Sequence, residues 1–269
     1  MNYRILVIHL RHRNTFKGLI LSKKDGKLIK KLYYKLNNTN ITYSLASSDF
    51  LQTIICRCMG LPKKRILVQG QPRTDALFST KENVAEITNE YTNILYAPTW
   101  RQHSEVKLFP FADFNANDLE KFLEINKIKI FVRFHPAYEE SIPKDILAIK
   151  NISLFSAKKY LEVMDYINLF DALITDYSSI YLDYMLLERP IIFLPYDLND
   201  YENSVGFTMD YNENTPGEKP TTQKDFIDIL TKIKNTPEYQ KSEIKELNKK
   251  LNNPNKNACK AMADFIINY

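Results

Sequence analysis

Residues 171–197 read DALITDYSSIYLDYMLLERPIIFLPYD, and this stretch decides the fold. Asp171–Thr175 is a short apolar run of strand length, Ser179–Glu188 carries helical spacing, and Pro190–Leu194 is apolar again. Strands that stay apolar at successive positions, with a helix between them, are parallel and buried on both faces. The pattern extends in both directions. Upstream, Asn93–Ala97 and Ile128–Phe134 read as strands around a helix at 117–127. Ile152–Phe155 reads as a short strand, followed by a helix over Tyr160–Phe170. Helices near Thr222–Lys234, Pro237–Leu251 and Asn257–Ile267 close the chain. The expectation is a doubly wound α/β domain over residues 93–269.

Residues 1–92 are less regular. They offer a strand at Ile5–Leu10, a helix at Ser48–Met59, a strand at Arg65–Gln69 and a polar link over Ser79–Asn93. Hydrophobic residues at 44% and charged residues at 26% describe an ordinary folded chain. No apolar run reaches the roughly 20 residues of a membrane span. The opening MNYRILVIHLRHR has basic residues around a very short apolar core, so it reads as a strand rather than a signal peptide. A cytoplasmic location is expected. Cys56, Cys58 and Cys259 do not form a disulfide framework or a zinc spacing. The net charge of +5 is spread along the chain without a basic block, which argues against nucleic acid. With six glycines and neither a GxGxxG nor a Walker loop, a phosphate site must use helix ends and side chains.

In such a sheet, ligands bind outside the carboxyl ends of the strands. Pro98-Thr99-Trp100-Arg101 follows the first strand of the domain and Arg133-Phe134-His135-Pro136 the second. Asp176-Tyr177-Ser178-Ser179 and Pro195-Tyr196-Asp197 follow the two in the opening stretch. Cations, hydroxyls and a histidine on one edge point to an anionic ligand. Asp176–Ser179 also has a plainer reading as a helix cap, because Asp and Ser are favoured there whatever the function. His135 likewise reads as a hydrogen-bonded histidine under a loop.

Taken together, Tyr96-Ala97-Pro98-Thr99-Trp100-Arg101, Arg133-Phe134-His135-Pro136 and Thr175-Asp176-Tyr177-Ser178-Ser179 with Asp183 resemble the CDP-glycerol glycerophosphotransferases of teichoic-acid and capsule synthesis. Arg189-Pro190, Tyr196-Asp197, Gly206-Phe207 and Pro216-Gly217 continue the resemblance in order, and Gln69-Gly70-Gln71-Pro72-Arg73-Thr74-Asp75 resembles a Gly-x-Pro-Arg-x-Asp segment upstream. The resemblance implies a GT-B-like fold of two Rossmann-like domains with the active site in the cleft between them. It places a shortened acceptor-side domain at 1–92 and a CDP-alcohol-binding domain at 93–269.

The implied reaction moves glycerol-phosphate or ribitol-phosphate from CDP-glycerol or CDP-ribitol to a hydroxyl of a lipid-linked or polyol-phosphate acceptor, and CMP leaves. Arg11-His12-Arg13-Asn14-Thr15-Phe16-Lys17 is the nearest counterpart of the family's histidine segment, and only His12 and Lys17 of it fit. In this reading His12 is the base, and His135 with Arg101 and Arg133 holds the diphosphate. Thr99, Asp176, Ser178 and Ser179 line the phosphate site, and Asp183 reaches the ribose. Asp176, Asp183 and Asp197 lack a metal-ligand spacing, so no metal and no cofactor are expected. The enzyme is expected at the inner face of the cell membrane, as a homo-oligomer or with a partner chain completing the first domain. Two other readings stay open. One is a nucleotide-sugar glycosyltransferase on the same scaffold, and the other a catalytically impaired or split-gene fragment that serves as a binding subunit.

Overall fold

In chain order the strands are β1 (Ile8–His9), β2 (Tyr43–Ala46), β3 (Ile66–Val68), β4 (Thr92–Tyr96), β5 (Ile128–Val132), β6 (Ile152–Leu154), β7 (Ala172–Thr175) and β8 (Ile191–Phe193). The α-helices are α1 (Asp49–Met59), α2 (Ala116–Ile125), α3 (Lys144–Ala148), α4 (Ile180–Tyr184), α5 (Leu198–Ser204), α6 (Gln223–Asn235), α7 (Lys241–Leu251) and α8 (Ala258–Ile267). These come from a computed structural model that describes residues 8–9, 42–79, 84–101, 105–252 and 257–269. The chain divides into two compact units. One takes Met1–Asp75, Asp197–Asn214 and Glu246–Tyr269, and the other Ala76–Tyr196 and Thr215–Lys245.

The first unit holds a parallel sheet in the order β1-β2-β3. Helix α1 connects β2 to β3, and its ends are set locally. Ser48 Oγ accepts the Leu51 N–H at 3.2 Å, and Gly60 closes the helix at φ +67°, the left-handed conformation that glycine adopts without strain. The sequence reading found α1 and β3 but not β2, whose four residues YSLA carry too little pattern to separate from a loop.

The second unit is built on a five-stranded parallel sheet in the order β6-β5-β4-β7-β8. Ile94 lies opposite Ile130 and Ala172, and Thr175 opposite Phe193. Alternate residues along each strand feed two buried faces. Ile94, Tyr96, Ile130, Val132 and Ile174 pack with Leu119, Leu123, Phe226 and Leu230 from α2 and α6. The other face carries the Phe131–Phe170 edge contact at 5.6 Å and the Tyr181–Phe193 contact at 5.4 Å. Burial on both sides explains why these strands read as unbroken apolar runs.

From β4 the connections step one way to β5 and β6, and the other way to β7 and β8. The order therefore reverses between β4 and β7, the point where open parallel sheets bind ligands. The free edge of β8 is covered. The Phe193 N–H donates to Glu218 O at 3.0 Å, and the Ile191 N–H to Gln240 Oε1 at 2.9 Å.

Three expected helices differ. Ser179–Glu188 is α-helical only over Ile180–Tyr184 and continues as a 3₁₀ turn, Met185–Leu187. Tyr160–Phe170 is not an α-helix but two 3₁₀ turns, Val163–Asp165 and Ile167–Leu169. Tyr160 stacks on Phe155 at 4.2 Å while Tyr166 meets the same ring edge-on at 5.9 Å. Residues six apart lie on different faces of an α-helix, so it could not bring both rings to Phe155. The helix expected over Pro237–Leu251 begins at Lys241, because Glu238 and Gln240 take positive φ as Gln240 turns its amide to β8.

Candidate active site

The site is built on the loops that leave β4, β7 and β5. At the reversal point, Asp176 follows β7 and is 2% exposed. One of its oxygens, Oδ1, accepts the N–H groups of Thr99, at 2.7 Å, and of Tyr177. The other, Oδ2, lies 2.9 Å from Arg101 Nη2. Arg101 in turn donates from Nη1 to the Thr99 carbonyl at 2.6 Å. Its guanidinium faces the rings of Tyr177 at 4.9 Å and Tyr196 at 5.2 Å. Thr99, Arg101 and Asp176 are thus brought together as one buried cluster.

That cluster has an electrostatic consequence. The charge of Arg101 is balanced locally by Asp176, so the pair adds little net field for an anion and instead fixes the course of the β4 exit loop. Burial, reinforced by the nearby Asp176 charge, pushes the Tyr96 phenol well above its ordinary value. Thr99 Oγ1 is buried here without a hydrogen-bond partner.

At the end of β5, Arg133 and His135 diverge. Arg133 donates from Nη2 to the Leu161 carbonyl at 3.1 Å, and its guanidinium lies 5.6 Å from the centre of the Phe155 ring. Its Nη1 is buried with no hydrogen-bond partner. Burial lowers its pKa, with partial compensation from Glu139 and Glu162. His135 is exposed and caps the turn Pro136–Ser141, where its Nδ1 accepts the Ala137 N–H at 3.3 Å. A neutral imidazole that accepts at Nδ1 carries its proton on Nε2, which leaves that nitrogen as the ring's donor.

Two features of this loop were not foreseen from sequence. Glu139 is a buried carboxylate that accepts from Ser156 Oγ at 2.9 Å and from the Ala157 N–H, tying the β6 exit to the His135 turn. No spacing rule singles out a glutamate within a short turn. Trp100 stacks on Tyr138 at 5.0 Å, and His135 lies 5.8 Å from the same tyrosine. The signal for that pair was present, since both aromatics sit next to the strand-end motifs, but only the fold brings them together.

Ser178 and Ser179 lead into α4. Ser178 Oγ accepts the Ile180 N–H at 3.5 Å, the long limit of such a bond, and Ser179 is the N-cap residue. Helix α4 has only five α-helical residues before a 3₁₀ turn at Met185–Leu187, so its dipole is small and its first amides matter more. Asp183 is buried on α4. His12 lies outside the described residues. Among the described residues, no group of three His, Cys, Asp or Glu side chains could hold a metal ion.

Comparison with known proteins gives this geometry a family. A family model described as CDP-glycerol:poly(glycerophosphate) glycerophosphotransferase matches residues 3–268. The chain belongs to this family. It is 30% identical over 217 residues to the teichoic acid glycerol-phosphate transferase of Staphylococcus aureus, covering 76% of this chain and 54% of that protein. It is 27% identical over 257 residues to the teichoic acid glycerol-phosphate primase of Bacillus spizizenii, covering 91% of this chain and 62% of the primase. The fold matches the wall teichoic acid polymerase TagF with a TM-score of 0.73 at 23% identity, over 94% of this chain and 66% of that one. A variant of TagF soaked with CDPG matches at 0.76. This member of the family spans a little over half of the first curated relative and under two thirds of the second. The GT-B-like expectation for the fold agrees with the TagF likeness.

Proposed function

We propose that the chain transfers an alcohol phosphate, glycerol-phosphate or ribitol-phosphate, from its CDP-activated form to a hydroxyl of a polyol-phosphate or lipid-linked acceptor. The acceptor oxygen forms a bond to the alcohol-side phosphorus. The bond from that phosphorus to the CMP oxygen breaks, and CMP leaves with the electron pair. The acceptor's proton passes to a base, the role the family resemblance gives His12. Such a transfer depends on alignment and charge stabilisation rather than on a covalent protein intermediate.

The observation that carries this reading is the convergence, at the reversal point of a parallel sheet, of the Thr99–Arg101 loop with the Asp176–Ser179 loop. In this reading the Arg101–Asp176 pair is scaffolding, and the His135 Nε2–H donates to the diphosphate. Arg133 supplies positive charge, and Ser178 and Ser179 add hydroxyls. Asp183 serves the ribose. The family membership and the curated relatives' names favour teichoic-acid-like polymers. A lipid-linked acceptor would put the enzyme peripherally at the inner face of the membrane. No helix among the described residues is long and apolar enough to cross one.

The test is incubation with CDP-glycerol or CDP-ribitol and a glycerol-phosphate primer, following CMP by chromatography. Primer-dependent CMP is expected from at least one donor. Tight binding of both donors without CMP release would overturn the transferase reading in favour of a binding subunit.

A further inference from the structure

We propose that Trp100 and Tyr138 form a stacking platform that receives the pyrimidine base of the nucleotide donor. This assignment rests on the proposed reaction and adds to it the residues that grip the base. The two rings lie 5.0 Å apart and 24° from parallel, each carried by a different strand exit at the ligand-binding edge. Both are exposed, Trp100 at 40% and Tyr138 at 37%, whereas Tyr96, Tyr177 and Tyr181 of the same unit are fully buried. Large aromatic rings left in water at that edge are available to a ligand.

The platform is held in place before any ligand arrives. Trp100 sits between Thr99, whose N–H is bound to Asp176, and Arg101, whose side chain is paired with the same carboxylate. Tyr138 sits in a tight turn, its N–H donating to His135 O at 2.8 Å and its carbonyl accepting from Ser141 Oγ at 2.7 Å. Rings fixed this way lose little freedom on binding. Their faces carry the negative lobe of the aromatic quadrupole, which disfavours phosphate and favours a flat heteroaromatic ring. A polyol has no flat face to offer. His135, tilted beside Tyr138, puts a donor within reach of the phosphate that follows the base.

The chain has a single tryptophan, so its indole emission reports on Trp100 alone. CMP, ribose 5-phosphate and glycerol 3-phosphate are titrated against the full chain by fluorescence and calorimetry. CMP is expected to quench the emission, and the two sugar and polyol phosphates are not. Trp100→Ala should weaken CMP by about 5- to 150-fold, the usual range for one stacked base, with Trp100→Phe recovering most of it. Tyr138→Ala, also at an exposed position, should weaken CMP in the same direction. Equal calorimetric affinity for CMP in wild type and Trp100→Ala would overturn the platform and leave the transferase site standing. Quenching by glycerol 3-phosphate instead of CMP would place the polyol there and overturn the base assignment. A wild-type chain that binds neither CMP nor CDP-glycerol would overturn both readings.

Discussion

Asp176 holds Arg101 through a 2.9 Å ion pair while its second oxygen accepts the Thr99 N–H, so one buried carboxylate joins the exits of β4 and β7. Breaking such a pair from one side strands a charge in a dry environment, at a cost of about 3–5 kcal/mol. Replacing both partners removes both charges and costs less than the sum. Asp176→Asn and Arg101→Met are each expected to lose stability on that scale in urea unfolding. The double variant should fall well short of additivity. Additive losses would mean that the two side chains act independently.

His135 faces the opposite balance. It is exposed, and its imidazole accepts the Ala137 N–H at the long distance of 3.3 Å. His135→Ala should therefore lose only this long capping contact, about 0.5–1 kcal/mol, the low end for a lost N-cap. Removing one pre-placed donor to a reacting phosphate typically costs about a hundredfold or more in turnover. CMP release from CDP-glycerol, measured alongside the melting curve, separates the two effects. Unchanged turnover would remove His135 from the site.

Arg133 lies between these cases. Its guanidinium is partly desolvated, its pKa is lowered by burial, and one of its amino groups is buried without a partner. A partly desolvated cation with one unsatisfied amino group contributes little net stability, because its desolvation offsets the Leu161 bond and the Phe155 contact. Arg133→Met, which keeps the stem against Phe155, is expected to be as stable as wild type or more so. It should bind CDP-glycerol more weakly by about tenfold, the order of one charged hydrogen bond. Calorimetric titration with the nucleotide checks the binding, and denaturant midpoints check the stability.

Gly217 shows how tightly the covered sheet edge is built. It adopts φ +100°, and a Cβ there would lie 2.1 Å from the Ile191 carbonyl oxygen. Backbone, not a movable side chain, blocks that position. Gly217→Ala should lower stability by upwards of about 2 kcal/mol, from strain and overpacking together. A thermal melt of the purified variant is sufficient to measure it.

The doubly wound sheet was legible because strands buried on both faces leave continuous apolar runs, as IKIFV and PIIFL do. The candidate site was legible only as a set of strand ends. Sequence could list Thr99, Arg101, Arg133, His135 and Asp176, but not that Arg101 and Asp176 are paired with each other. That pairing depends on β4 and β7 being neighbours, a fact of strand order and not of spacing. The missing helix over Tyr160–Phe170 has a similar cause, since its rings are drawn to Phe155 by tertiary packing that local propensity does not see.

Asp75 makes the same point from the first unit. It lies in the Gly-x-Pro-Arg-x-Asp segment, and its two oxygens accept the N–H groups of Ala258 and Cys259 at 3.0 and 2.8 Å. A carboxylate 182 residues upstream of the N-cap Asn257 thus satisfies the first amides of α8, which the Asn257 side chain does not cap. Asp75→Ala should cost about 1–2 kcal/mol, the scale of a lost N-cap. Asp75→Asn keeps an acceptor and should cost less. The same carboxylate adds to burial in pushing the Cys259 thiol above its ordinary pKa, because its charge opposes the thiolate. Removing the charge favours the thiolate, so at pH 8 alkylation of Cys259, followed by peptide mass spectrometry, should run faster in Asp75→Asn than in wild type. Hydrogen exchange at the first amides of α8, followed in both proteins, separates fraying of the helix from a change in thiol reactivity. An unchanged rate would show that burial alone sets the reactivity of Cys259.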